Sequence, residues 1–473
     1  MVSAREPCAA LLEANPNDVD GLAIDGLIKF TTGYVEEAEV VFRRLIEIRP
    51  GNPEDHFNLA RVLTRRERVD EAIKEFDEAL RIRPDNLRPV EGKAQVLVIA
   101  DRKDEAKALL KDHISKGDDL PSFGLILGTI AEQAGEYSEA VDIIERYAGS
   151  SKADAPTNRQ LFLLLGRALE KLERYDDAFR AFRRGNAYGA MPYDREGFMD
   201  RVERTKRIFS RKNMKSMPKS GIDSELPVFV TSMPRSGSTL VERVIDAHSQ
   251  AKGVGEIIVM HRVALESPNT LKTQRPYPDC IETATRKGLQ TLGRQYLDEA
   301  EKLADGADRI VDKTLETWQH VGLVQMALPN ARVINVRRHP MDTCLSCYIA
   351  ALNPTVHTFA ATLEDLAYHY RAYDTLCKHW AEAANIDYME IRYEDFVDDQ
   401  ERWTHDIIDF CGLPWEDGCL EHHKRKSGLV MTLSYDQVRR PVYKSALARW
   451  KRYEKHLGPL QSLIGDLVKE YDA

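Results

Sequence analysis

The sequence predicts an all-α helical-repeat array followed by an α/β domain with a parallel sheet, and three observations predict it. Ala38, Ala72, Ala106 and Ala140 follow one another at one constant interval, a fixed period that marks stacked helix pairs. The apolar run Leu226-Pro227-Val228-Phe229-Val230 leads through Pro234-Arg235-Ser236-Gly237-Ser238-Thr239 into Leu240-Val241-Glu242-Arg243-Val244-Ile245, the order strand, turn, helix. Beyond it, β-rich runs at Val228–Thr231, Arg309–Val311, Val333–Val336 and Tyr388–Ile391 alternate with helical stretches. Such alternation implies right-handed crossovers and a site at the carboxyl ends of the strands.

The repeat array comes first. Gly26, Ala60, Ala94 and Gly128 each precede a periodic alanine by the same step, and Phe42, Phe76, Leu110 and Ile144 each follow one a helical turn later. Small residues recur where two helices approach, and large ones fill the gap beside them. With Pro16, Pro50 and Pro84 at the same period, the pattern resembles the tetratricopeptide repeat, which implies a superhelix with a concave groove for a protein partner or a second copy of the chain. A fifth unit at Gly166, Ala178 and Phe182 comes after a slightly longer interval, and the loop Gly149-Ser150-Ser151-Lys152-Ala153-Asp154 takes the extra length. Ala4 precedes Ala38 by one full period, so the chain is expected to open on the second helix of an incomplete repeat; whether a segment precedes it stays open. These signals give a repeat domain over 1–187, a connecting helix and linker over 188–224 where the pattern turns polar, and the second domain over 225–473.

Composition limits the function classes. At 473 residues the chain is too long for one ordinary core, and two domains are expected. A net charge of −9 with 30% charged residues argues against a general nucleic-acid or anionic-membrane binder while permitting a focal basic site. The sequence has no long apolar run and its start lacks the apolar core of a secretory signal, so no membrane span and a cytoplasmic protein are expected. Seven scattered cysteines read as reduced and structural; Cys344 and Cys347 stand as C-x-x-C without a partner pair.

The turn after the first strand reads as an anion site. Ser236 and Gly237 let backbone amides turn inward, and two hydroxyls and a guanidinium face the positive end of the helix that begins there. The nucleotide-hydrolase pattern GxxxxGK[ST] is not met, since position 238 is Ser and Arg235 lies on the other side of the glycine; this argues against ATP or GTP. A second buried strand stops in Arg337-Arg338-His339-Pro340, and Ser346 follows Arg338 about two helical turns on. Two anion sites on one sheet suit a nucleotide with two separated phosphates. On the residues alone, Arg338 equally suits an ion pair with Asp342.

Here the chain, over about 225 to 460, resembles the sulfotransferases that use 3′-phosphoadenylyl sulfate (PAPS), on a P-loop-like scaffold. The resemblance implies that Arg235, Ser236, Gly237, Ser238 and Thr239 bind the 5′-phosphosulfate, and that Arg338 and Ser346 bind the 3′-phosphate. His339 departs from the acidic residue often seen at that place, which reads as neutral variation. Among subfamilies the sequence is most similar to tyrosylprotein sulfotransferases and bacterial repeat-fused sulfotransferases. Gly253-Val254-Gly255-Glu256 resembles the segment with their catalytic glutamate, Asp312-Lys313-Thr314 their lysine position, Tyr393 a nucleotide-contacting tyrosine, and Ser434 to Val442 with Arg449-Trp450 the loop that closes over the cofactor. Glu256 is then the general base, with Lys313 and Ser434 stabilising the bridging and sulfate oxygens.

Neutral imidazoles leave His261, His320 and His339 as rival bases. Glu256 as a helix-terminal carboxylate, Lys313 as an ion-pair partner of Asp312, and Tyr393 as a core-edge aromatic are alternatives. No metal is required. The product is adenosine 3′,5′-bisphosphate, and the acceptor is a hydroxyl on a peptide, glycan or small molecule, a protein tyrosine among them. The cationic tail from Arg439 to Lys455 reads as a solvated helix surface beside the cleft rather than an RNA site. Two further readings stay open: a small-molecule kinase on a related scaffold, and an inactive repeat scaffold that binds a nucleotide.

Overall fold

The structure, a computed structural model, describes residues 8, 9, 11–424 and 447–473. The chain forms two compact units, one ending at Tyr188 and the other running from Gly189 to Ala473.

The first unit is a series of helix pairs: Val19–Thr32 with Val35–Ile48, Pro53–Arg65 with Val69–Ile82, Arg88–Ile99 with Lys103–Ser115, Pro121–Ala134 with Tyr137–Tyr147, and Ala155–Lys171 with Tyr175–Ala187. The periodic alanines 38, 72, 106, 140 and 178 are fully buried. The small-then-large pattern is a packing constraint. A methyl added at Gly26 would stand 2.8 Å from the Phe42 ring, at Gly128 2.6 Å from Ile144, and at Gly166 2.4 Å from Phe182, all closer than packed atoms allow. The extra residues before the fifth pair form a connection closed by Asn158. Its Oδ1 accepts the Gly149 N–H at 2.8 Å, and its Nδ2 donates to the Ser150 and Ala153 carbonyls.

The second unit begins earlier than the sequence predicts. Residues 189–224, expected as a connecting helix and linker, pack onto the second unit instead. The helix Arg195–Ile208 pairs Arg195 with Asp365 at 2.5 Å and Arg207 with Asp279 at 2.9 Å. The Phe209 ring is fully buried, so close to Gly322 that a methyl there would lie 2.4 Å away. The chain after it is bound through the Ser220 N–H to the Met326 carbonyl at 2.9 Å. A polar helix with one narrow stripe, Val202, Thr205 and Ile208, hides its docking face in its composition.

Five strands form the sheet: β1 Pro227–Ser232, β2 Ala251–Gly255, β3 Arg309–Asp312, β4 Arg332–Arg337 and β5 Asp387–Arg392. They lie in the order β2-β3-β1-β4-β5, and all neighbours are parallel. The sequence anticipates four of them. β2 escapes because it is short, carries two glycines and shifts register between Gly253 and Gly255. Val228, Val230, Ile334 and Val336 pack against Leu240, Val241, Val244 and Ile245 of the helix Ser238–Asp246. From β1 the chain runs to the edge strand β2, returns inward to β3 beside β1, and then crosses to β4 on the other side. The carboxyl ends of β1 and β4 therefore flank the switch point where α/β sheets open a ligand crevice.

Candidate active site

The turn after β1 is held in a conformation most side chains avoid. Arg235 has φ +68° and Gly237 φ +97°, so the left-handed residues are 235 and 237 rather than Ser236. A left-handed arginine costs of order 1–3 kcal/mol, and three contacts hold it there. The Arg338 guanidinium donates to the Arg235 carbonyl at 3.1 Å, the Cys347 thiol donates to the Pro234 carbonyl at 3.2 Å, and Arg235 Nε donates to the Ser346 hydroxyl at 3.5 Å. Ser236 is buried in the turn, and Ser238 and Thr239 are buried at the start of the helix that follows it. The helix Ser238–Asp246 starts from Gly237 with no side chain capping its first N–H groups, which leaves donors and a dipole aimed outward.

The second motif stands beside it. Arg338 follows β4, and Ser346 lies in the helix Pro340–Ile349. Tyr393 opens the helix Tyr393–Asp398 after β5 and lies over the turn. A methyl on Gly237 would stand 2.3 Å from its ring, and the Arg338 guanidinium carbon is 5.3 Å from the ring centroid. Of the two uses open to Arg338, donation onto the first turn is the one observed. Asp342 serves otherwise: its carboxylate accepts the Ala448 N–H at 2.7 Å and the Trp450 N–H at 3.0 Å. Arg449 lies between those two tethered residues. Arg235, Ser236, Gly237, Ser238, Thr239, Arg338, Ser346 and Tyr393 thus form one cluster, with Arg449 tied to the helix that carries Ser346.

Glu256 and Lys313 form a second group. Lys313 follows β3 directly, its side chain 1% exposed, and its ammonium lies 2.5 Å from the carboxylate of Glu256, which is 43% exposed. Its partner is therefore Glu256 and not Asp312. The Asp312 carboxylate instead accepts from Thr314 N at 2.9 Å, Thr314 Oγ1 at 2.6 Å and the Tyr296 hydroxyl at 3.1 Å, and burial pushes its pKa up to about 6. The Ile258 N–H donates to Thr314 Oγ1 at 3.1 Å, which ties the Glu256 loop to the turn after Lys313. Ser434 lies outside the described residues.

The three histidines are engaged elsewhere. His261 Nδ1 meets His320 Nε2 at 3.0 Å, and His320 Nδ1 meets the Tyr277 hydroxyl at 3.2 Å. Burial lowers both imidazole pKa values, that of His320 to about 3, so both rings are neutral and weakly basic. His339 stacks on Trp450 with centroids 5.6 Å apart, and burial lowers its pKa too. Sequence reasoning gave no role to Glu242, and it offered Asp342 only as an ion-pair partner of Arg338. The one signal for Glu242 is an acid inside the apolar run 240–245 of a helix in which every residue is buried. All seven cysteines are buried and none forms a disulfide. No helix among the described residues is long and apolar enough to cross a membrane.

Residues 227–417 match the Sulfotransferase family, and residues 53–86 and 127–189 match the Tetratricopeptide repeat. The chain is 29% identical over 343 residues to an uncharacterized protein of Aquifex aeolicus (strain VF5), covering 71% of this chain and 45% of that one. It is 24% identical over 255 residues to the protein-tyrosine sulfotransferase of Drosophila melanogaster, covering 52% and 49%. The chain thus spans about half the length of these relatives. Among solved structures, the sulfotransferase domain from the Synechococcus PCC 7002 olefin synthase aligns at 17% identity and a TM-score of 0.36, over 50% of this chain and 90% of that domain.

Proposed function

For a chain that carries a Sulfotransferase-family domain behind tetratricopeptide repeats, we propose a sulfotransferase that moves a sulfuryl group from PAPS to a hydroxyl acceptor and releases adenosine 3′,5′-bisphosphate. The observation that carries this reading is the meeting of two cationic motifs at neighbouring strand ends, Arg338 on the Arg235 carbonyl and Arg235 on Ser346. The donor set fits such a nucleotide: uncapped helix N–H groups, buried hydroxyls and two guanidiniums for anions, and an aromatic face over a glycine that leaves no room for a side chain. In this reading Arg235, Ser236, Gly237, Ser238 and Thr239 hold the 5′-phosphosulfate, Arg338 and Ser346 hold the 3′-phosphate, and Tyr393 and Arg449 contact the nucleotide.

The donor supplies an activated sulfur–oxygen bond. As the acceptor oxygen bonds to sulfur, the bond to the bridging phosphate oxygen breaks and its electron pair stays with the phosphate. Glu256, the more exposed member of its pair, takes the acceptor's proton. Lys313 is desolvated, which strengthens its hold on charge developing at the bridging oxygen, and Ser434 is proposed to assist it. Both roles require the Glu256–Lys313 pair to part as each group turns to its own oxygen. The relatives named protein-tyrosine sulfotransferases favour a tyrosyl hydroxyl as acceptor. We assign the repeat unit to recruiting the acceptor or a protein partner.

Thermal stabilisation of the full chain by adenosine 3′,5′-bisphosphate, with none from ATP at the same concentration, is the expected result. Equal stabilisation by both, or by ATP alone, overturns the donor assignment.

A further inference from the structure

The mechanism leaves one buried carboxylate without a task. Glu242 is 2% exposed on the helix Ser238–Asp246. Its Oε1 accepts the Gly255 N–H at 2.8 Å, and its Oε2 is buried without a hydrogen-bond partner. One helical turn on, Asp246 Oδ1 accepts the Gly253 N–H at 2.7 Å. β2 is an edge strand, so two side chains of one helix satisfy N–H groups on it that no further strand can take.

Gly255 ends β2 with φ +69°. While its N–H is held by Glu242, its carbonyl accepts the Lys313 N–H at 2.9 Å. One residue therefore links Glu242 to the backbone of Lys313, and the next residue in the chain is Glu256. Among neighbouring charges, the Lys313 ammonium is the strongest that favours ionised Glu242.

We propose that Glu242 is a positioning residue for sulfuryl transfer: by holding the Gly255 backbone it sets where Glu256 and Lys313 stand. The proposal rests on the sulfotransferase reading. Asp246 supplies the built-in contrast, since it anchors the same strand two residues further from Glu256.

The full chain is assayed for transfer of sulfate-35 from PAPS into a cell lysate, with apparent kcat and donor KM measured and calorimetric binding of adenosine 3′,5′-bisphosphate alongside. A displaced reacting group costs up to roughly 100-fold in rate. Glu242→Ala is expected to lower kcat by about 10- to 100-fold with donor KM and bisphosphate affinity within about twofold of wild type. Glu242→Gln, whose amide oxygen still accepts the Gly255 N–H, is expected to recover most of the rate. Asp246→Ala is expected to lower the melting temperature while keeping kcat. Should the alanine variant not fold, Glu242→Met fills the space without an acceptor atom and is expected to show the same loss. Wild-type kcat in Glu242→Ala or Glu242→Met, or an equal rate loss in Asp246→Ala, overturns the proposal. Absence of transfer by the wild-type chain overturns the sulfotransferase reading and this role with it.

Discussion

The Arg338 guanidinium donates to the carbonyl of Arg235 at 3.1 Å, so two motifs far apart in the chain share one charge-assisted hydrogen bond. The carbonyl of Arg338 is itself held by the Thr343 and Tyr370 hydroxyls, each at 3.3 Å. The second motif is thereby fixed at both ends, and it in turn buttresses the strained first turn. Removing Arg338 should loosen the Arg235 turn as well as delete a cation. Arg338→Ala is expected to weaken adenosine 3′,5′-bisphosphate binding by about 2–3 kcal/mol, the scale of a charged hydrogen bond. Isothermal titration calorimetry reads this directly; unchanged affinity would remove Arg338 from the nucleotide site.

Glu256 and Lys313 should separate chemistry from binding. Glu256→Gln and Lys313→Met are each expected to lower kcat by roughly 10²–10⁴-fold and leave bisphosphate affinity nearly intact. A Glu256→Gln enzyme that keeps full turnover sinks the general-base role.

Gly237 is expected to tolerate no side chain. A methyl there meets the Tyr393 ring at 2.3 Å in a backbone region with φ +97°, so Gly237→Ala must move the ring or the turn. Loss of bisphosphate binding with a lowered melting temperature is expected, and Tyr393→Ala in the same background should restore part of the stability. Wild-type affinity in the single variant would show that the turn is looser than its geometry.

In the repeat unit, Gly166→Ala is expected to destabilise by about 1–3 kcal/mol through overpacking, because the added methyl would lie 2.4 Å from Phe182. Bisphosphate binding belongs to the other unit and should persist. A neutral result in chemical denaturation contradicts the close helix approach.

Burial raises the Glu242 pKa to about 6, with the nearby positive charge of Lys313 opposing the rise. An acid whose folded pKa is raised contributes stability below its unfolded pKa, near 4, and loses that contribution as pH climbs through 6. Glu242→Gln should therefore be more stable than wild type at pH 7.5, by roughly 1–2 kcal/mol, and the gap should close toward pH 4.5. Melting curves of the two proteins across that range test it; a gap independent of pH means that the Glu242 pKa is the same in the folded and unfolded chain.

Much of this architecture was legible in the chain. The repeat period survives because every repeat must solve the same contact, and the strand-turn-helix signal at 226–245 survives because buried β1 needs a continuous apolar run. The sequence also nominated Arg235, Arg338, Ser346 and Tyr393, whose clustering follows from the ends of neighbouring parallel strands. What it could not rank were side chains with several available partners. Arg338 had Asp342 within reach along the chain, and Lys313 had Asp312 beside it. Folding gave each of the four a different partner, because only tertiary contact brings Ala448 to Asp342, Tyr296 to Asp312 and Glu256 to Lys313.

By itself the sequence determined the order of the elements and the residues at their tips, since period and burial are written in local pattern. Tertiary structure alone decided that residues 189–224 join the second unit, that the histidines at 261 and 320 bond each other, and that Glu242 reaches back to Gly255. Each depends on which surface a side chain meets after distant segments pack, and a linear pattern carries no record of that distance.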